Sequence, residues 1–208
     1  MQTREELIIS LKNDTRVLRE TLIEKAFEEI DRADFVDDDY KIEAYEDYAL
    51  PIGEGQTTSR PTTILFMIEL LDVKRGDNIL EVGFGSGFAT ALLSSMVGDS
   101  GHIYGVEQSD ILLEKAKNNI GKYDHLNNIT LQGRSSKTPV GLPEYAPYDK
   151  ILVSAEAKDE IPVDLFMELK IGGIMVIPVS GTIYKLVKVS DDGFDSKEYP
   201  GFSFDSLS

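Results

Sequence analysis

Apolar residues recur at helical spacing near the start of the chain: Leu7, Ile8 and Leu11, then Val17, Leu18, Leu22 and Ile23, then Ala26, Phe27 and Ile30. That period buries one face of each segment and predicts two helices, about 4–12 and 15–31, with Asp14-Thr15 placed to cap the second. A third helical run, about 61–71, carries Ile64, Leu65, Met67, Ile68 and Leu71. Pro61 suits its first turn and Ser59 or Arg60 its cap. From residue 78 the pattern changes. Short apolar runs alternate with helical ones, giving strands at Ile79–Val82, 102–106, 129–131, 148–153 and 174–179. Helices fall between them, from about Phe88 to Val97, at about 109–121 and at 161–169. Lys170-Ile-Gly172-Gly173 reads as the stop of the last helix. Residues 182–189 and 202–204 read as closing antiparallel strands around an Asp191-Asp192-Gly193 turn. Strands alternating with helices predict an α/β fold, a mostly parallel sheet covered on both faces.

Two polar stretches interrupt this pattern. Residues 34–47 hold Asp34, Asp37, Asp38, Asp39, Glu43, Glu46 and Asp47, and read as a solvated acidic loop. The spacing lacks the alternating ligands and sixth-position glycine of a calcium loop. Residues 44–61, including Gly53, Gly55, Thr57, Thr58 and Ser59, read as a loop rich in hydroxyls before a helix start. Hydroxyls and free amides there suit a carboxylate ligand.

Composition narrows the chemistry. At 208 residues with 41% hydrophobic content, the chain fits one domain, 1–208, with an N-terminal helical extension over about 1–60. It has no cysteine, which excludes disulfides and thiol catalysis, and only two histidines, His102 and His125, so no histidine-rich metal site is expected. No apolar run is long enough to span a membrane, and the first residues lack a signal pattern, so a cytoplasmic protein is expected. A formal charge of -16 argues against nucleic-acid and anionic-membrane partners.

The densest chemical signal is Glu81-x-Gly83-x-Gly85-x-Gly87, between the first apolar strand and its helix. Alternating glycines let the backbone approach a ligand closely, and a helix start offers unpaired N–H groups. The dinucleotide form requires a small residue where Phe88 stands. Glu107 ends the next strand, 20 residues beyond Gly87, where a carboxylate can accept ribose hydroxyls.

The acid and alternating glycines resemble the first motif of class I S-adenosylmethionine-dependent methyltransferases. The run Tyr45, Asp47, Leu50-Pro51-Ile-Gly53 and Gly55-Gln56-Thr57-x-Ser59 with Pro61 resembles, more specifically, the protein-L-isoaspartate O-methyltransferases. The likeness extends in order from about Arg32 to Phe204 and includes Ala146-Pro147-Tyr148-Asp149, Ala155, Leu169-Lys-x-Gly172-Gly173 and Val176-Ile-Pro178-Val179. It implies a Rossmann-like methyltransferase sheet and methyl transfer from S-adenosyl-L-methionine to the free α-carboxylate of L-isoaspartyl residues in damaged proteins. The ester then closes to a succinimide, which reopens partly to aspartate. By resemblance, Ser59, helped by Thr57 and Thr58, would hold the substrate carboxylate. Glu81, Gly83, Gly85 and Gly87 would hold the methionine part of the cofactor, and Glu107 the ribose.

One place departs from the pattern. Gly133-Arg134-Ser135 stands where the family carries Gly-Asp-Gly beside the adenine. A cationic donor replaces an acceptor, so an altered adenine pocket is expected, with Ser135 or Ser136 as substitutes. Two other readings use the same residues: a catalytically weak protein that binds peptides, or a methyltransferase for a different carboxylate.

Overall fold

The computed structural model describes residues 2–15, 18, 21–135, 140–157 and 160–205. Its helices are α1 (Arg4–Asn13), α2 (Thr21–Glu29), α3 (Pro61–Leu71), α4 (Phe88–Val97), α5 (Asp110–Ile120) and α6 (Val163–Met167). A hairpin of β1 (Leu50–Gly53) and β2 (Gln56–Thr58) precedes the main strands. These are β3 (Asn78–Val82), β4 (His102–Glu107), β5 (Ile129–Gly133), β6 (Tyr148–Val153), β7 (Leu169–Val179), β8 (Thr182–Lys188) and β9 (Phe194–Pro200). No helix among the described residues is long and apolar enough to cross a membrane.

The main sheet runs β5-β4-β3-β6-β7-β8-β9. Its first five strands pair in parallel, and β8 and β9 close it antiparallel. Alternate residues of the central strands point to opposite faces. Ile79, Ile103, Leu152 and Val176 join the core under α1 to α4, whereas Leu80, Val82, Ile151, Val153 and Met175 join a second core with Leu165 of α6. Leu7 and Leu11 of α1 belong to the first core, and α2 packs against α3 and α4, so the N-terminal helices join the layer that covers one face of the sheet. The chain leaves β3 first toward β4 and later toward β6, which makes β3/β6 the switch point of the strand order. Val82 lies opposite Val106 on one side and Val153 on the other, so three loops leave together at one sheet edge. Ligands of open α/β sheets bind at such an edge.

Several boundaries differ from the sequence reading. Asp14 ends α1 rather than capping the next helix, and its N–H donates to the Ser10 carbonyl. Helix α2 is shorter than the expected 15–31, and Val17 lies outside the described residues. The expected helix 161–169 shrinks to α6 because Leu169 to Gly173 already belong to β7. Leu169 pairs with Tyr148, and the next pairing, Ile174 with Lys150, follows an irregularity at Gly172, whose φ is 81°. The final strand is Phe194–Pro200 instead of 202–204. It is an edge strand exposed along nearly its whole length, so no apolar period marks it. Phe202 instead stacks on Phe66, with centroids 5.7 Å apart and rings inclined by 7°. The acidic stretch is also more than a solvated loop. It forms two 3-10 turns, Asp37 pairs with Lys115 of α5, and Asp34 pairs with Lys122 just beyond that helix.

Candidate active site

The loops leaving β3, β4 and β6 meet the 50–59 hairpin around one cleft. At its floor stands Glu81, fully buried at the end of β3. Its carboxylate accepts from Thr90 Oγ1 at 2.6 Å and Ser154 Oγ at 3.3 Å. Burial pushes this acid up to about 7, against the pull of both hydroxyls, and Glu107 adds to the rise.

The glycine turn that follows has positive φ at all three glycines, 76° at Gly83, 54° at Gly85 and 88° at Gly87. Gly83 and Gly85 line the cleft. A Cβ on Gly85 would come within 2.9 Å of Ile52 Cδ1, and one on Gly83 within 3.3 Å of Ala155 Cβ. The backbone is therefore kept bare where the hairpin and the β6 loop close over it. Gly87, expected beside the cofactor with the other two, has different surroundings. It does not line the cleft and caps α4, and a Cβ there would lie 3.1 Å from both Ala116 Cβ and Ile120 Cδ1 of α5. Its smallness lets two helices approach.

Glu107, only 4% exposed, ends β4 facing the same turn. Its Oε1 accepts from the N–H groups of Gln108 and Ser109 at 2.8 and 3.1 Å, and its Oε2 from Gly85 N–H at 3.0 Å. A carboxylate offers about four acceptor positions, so acceptor capacity remains on Oε2 for a ligand hydroxyl. Arg134 borders the cleft next to Gln108, half-buried, with its N–H donating to the Glu107 carbonyl at 2.8 Å. Ser135 is exposed, and Ser136 lies outside the described residues.

Thr57, Thr58 and Ser59 form the opposite wall. They come to it by way of a buried cation. Arg32, 2% exposed, donates to the carbonyls of Ala44 at 2.8 Å, Glu46 at 3.2 Å, Tyr48 at 3.0 Å and Ser59 at 3.3 Å. Burial lowers this guanidinium to about 10, opposed by Asp47 and Tyr48. Asp47 in turn accepts from Thr62 N–H at 2.8 Å and Thr62 Oγ1 at 2.6 Å, which fixes the start of α3. Arg60 occupies the cap position without a side-chain cap bond, and Pro61 is the first helical residue. Lys115 of α5 donates to the Ile52 carbonyl at 2.6 Å and fastens the hairpin over the turn.

The structure thus brings Thr57, Thr58, Ser59, Glu81, Gly83, Gly85, Glu107 and Arg134 to one cleft and leaves Gly87 beneath it. Among the lining residues that the sequence reading did not place at the site are Ile52, Ser154 and Asp205. Ile52 lay in what read as a polar loop. Ser154 follows the strand beside the switch point, and that position was the signal that could have found it. Asp205 carried no signal in its local sequence.

A parallel sheet with this glycine turn at its switch point and an acid ending the neighbouring strand has the architecture of the class I methyltransferases. The particular family follows from comparison with known proteins. A family profile described as protein-L-isoaspartate(D-aspartate) O-methyltransferase matches residues 2–199. A protein-L-isoaspartate O-methyltransferase of Ignicoccus hospitalis is 40% identical over 195 residues, covering 91% of this chain and 90% of the relative. One from Fervidobacterium nodosum is 43% identical over 165 residues, covering 79% and 81%. A solved protein-L-isoaspartate O-methyltransferase superposes with a TM-score of 0.87 at 29% identity over 99% of this chain and 66% of its own length. A Plasmodium falciparum structure in complex with S-adenosyl-L-homocysteine superposes at 0.86 with 20% identity over 100% and 99%, and speaks for the fold. The chain belongs to the protein-L-isoaspartate(D-aspartate) O-methyltransferase family.

Proposed function

We propose that this chain methylates the free carboxylate of L-isoaspartyl residues in damaged proteins or peptides, with S-adenosyl-L-methionine as donor, and so begins their repair. The observation that supports this most is that one cleft joins the Glu81-to-Gly85 turn and Glu107 to the Thr57-to-Ser59 run. The cofactor fits the residues present: the turn is bare where a Cβ would collide, and two buried carboxylates stand at its ends. When bound, S-adenosyl-L-methionine supplies an electrophilic methyl group on a sulfonium. Glu81 and the backbone of Gly83 and Gly85 would hold its methionine part, and Glu107 Oε2 its ribose.

The chain's own work is then positioning. An isoaspartyl carboxylate is ionised at pH 7, so it arrives as a nucleophile and no general base is required. Ser59, with Thr57 and Thr58, would fix one carboxylate oxygen and leave the other turned toward the donor; alignment of this kind is a major source of rate. The hairpin pressed on the glycine turn excludes water from the charged ends. The N-terminal helices act as part of this one domain, and the acidic, cysteine-free chain suits protein substrates in the cytoplasm over nucleic acid.

The deciding assay is tritiated methyl transfer to an isoaspartyl peptide, with the aspartyl isomer as control. Transfer to the isoaspartyl form alone is expected. Binding without transfer, or transfer to neither peptide, would overturn the reading.

A further inference from the structure

Thr57 is already holding a carboxylate. Its N–H and Oγ1 both donate to Asp205 Oδ2, at 2.7 and 3.0 Å, across 148 positions of sequence. A backbone amide and a hydroxyl converging on one carboxylate oxygen is the recognition that a free carboxylate substrate demands. Asp205 also stands where two spaces meet. It lines the cofactor cleft and a second groove that runs along residues 201–204 and shares Thr57, Ser59 and Ser154 with the first. A peptide chain lying in that groove would present a side-branch carboxylate at this junction.

The tail that delivers Asp205 is anchored. The N–H groups of Gly201 and Phe202 donate to the Gly181 carbonyl, each at 3.0 Å, and Phe202 stacks on Phe66. The Asp205 carbonyl accepts from Glu156 N–H at 2.7 Å. The Asp205 side chain itself is exposed, so it can rotate away while its backbone stays in place.

We propose that the Thr57 N–H and Oγ1 form the seat for the substrate carboxylate, that Asp205 occupies this seat in the free enzyme, and that substrate binds by displacing it. Asp205 is then a specificity-determining residue. Two carboxylates repel at one seat, so only a ligand that also gains contacts along the groove evicts the resident acid, and small free carboxylates are turned away. This inference rests on the methyl-transfer reading. Occupancy weakens apparent affinity by the inverse of the fraction of time the seat is open.

The test compares wild type with Asp205→Ala and Asp205→Asn by steady-state kinetics on an isoaspartyl peptide and by the Thr57 amide resonance with S-adenosylhomocysteine present. For Asp205→Ala, KM falls about tenfold, as expected if the seat is open about a tenth of the time, while kcat changes far less. The Thr57 amide shifts on substitution and returns toward its wild-type position when the peptide is added. Asp205→Asn falls between. A KM that rises or stays level overturns the proposal, because Asp205 then positions Thr57 or does nothing. If wild type methylates no peptide, the methyl-transfer reading fails alone provided that the peptide still moves the Thr57 amide in Asp205→Ala. A Thr57 amide that ignores the peptide overturns the seat itself.

Discussion

The two walls of the cleft are built by different means. The cofactor wall consists of strand ends: Glu81 and Glu107 are buried because β3 and β4 are central, and the turn between them inherits the stiffness of the sheet. The substrate wall lies outside the sheet. Its Thr57-to-Ser59 run is a short hairpin strand and its exit, held by one buried guanidinium on four carbonyls, by Asp47 on Thr62 and by Lys115 on Ile52. One wall is fixed by packing, the other by a few charge-assisted hydrogen bonds to backbone. Changes in the second wall should therefore alter peptide binding and leave the cofactor wall intact.

Arg32→Ala puts that contrast under the greatest stress. It strips four carbonyls of their donor at once, and since a buried group left without its partner costs about 1–3 kcal/mol, a stability loss of about 3 kcal/mol is expected in denaturant unfolding. In the folded fraction, KM for the isoaspartyl peptide rises and affinity for S-adenosylhomocysteine holds within about twofold, a shift below about 0.5 kcal/mol. Equal loss of both affinities would show that the walls are one unit. Arg32→Lys keeps the charge and loses the fork, and recovers only part of the stability.

A second experiment probes the cofactor wall through protons. Glu81 is raised to about 7, so near pH 6 the empty site is mostly protonated there. A ligand carrying an ammonium group favours the ionised acid, so its binding releases a proton and tightens as pH climbs toward 7, by at most about tenfold per pH unit, and levels above it. For stability the sign is opposite. The native state holds this proton more firmly than the unfolded chain, so Glu81 detracts from stability progressively from about pH 4.5, its ordinary value, to about 7. Calorimetry with S-adenosylhomocysteine across pH 5.5–8 checks this against Glu81→Gln, which should flatten the slope, ~0 protons released per ligand bound.

Arg134→Asp carries the smallest expected change. Arg134 borders the cleft at the end of β5 and hangs by its N–H on the Glu107 carbonyl. An acid there restores an acceptor for an adenine amino group and should tighten S-adenosylhomocysteine about fivefold, the worth of one hydrogen bond of ~1 kcal/mol. Unchanged calorimetric affinity would separate Arg134 from the adenine and leave the cofactor wall defined by Glu81 and Glu107.

The same contrast explains what could be read from sequence. Strands and helices that bury a face announce themselves by period, so β3, α4, β4 and α5 fell close to their expected places, and Glu81, Gly83, Gly85 and Glu107 with them. The hairpin did not, because Leu50-Pro51-Ile-Gly53 has too few residues to show alternation, and its two buried positions, Leu50 and Ile52, are separated by Pro51 and followed at once by Gly53. Strand β9 is exposed along most of its length and carries no strand period, so the closing strand was expected at 202–204 instead. Arg32 sat unremarked among acidic residues. A single buried arginine has no period, and only the converging carbonyls reveal it. The spacing of glycines does not distinguish a ligand's approach from a helix's, and at Gly87 it is α5 that comes close.

The bond between Thr57 and Asp205 also bears on the order in which the molecule assembles. The contacts that define the cofactor wall join strands whose partners are β3, β4 and β6, all within residues 78–153. The Thr57–Asp205 contact closes a loop of 148 positions, and the entropy of closing so long a loop is recovered only after the intervening strands have paired. During refolding, affinity for S-adenosylhomocysteine should therefore return before the substrate mouth is finished, and the mouth should be the first part to open again in hydrogen exchange.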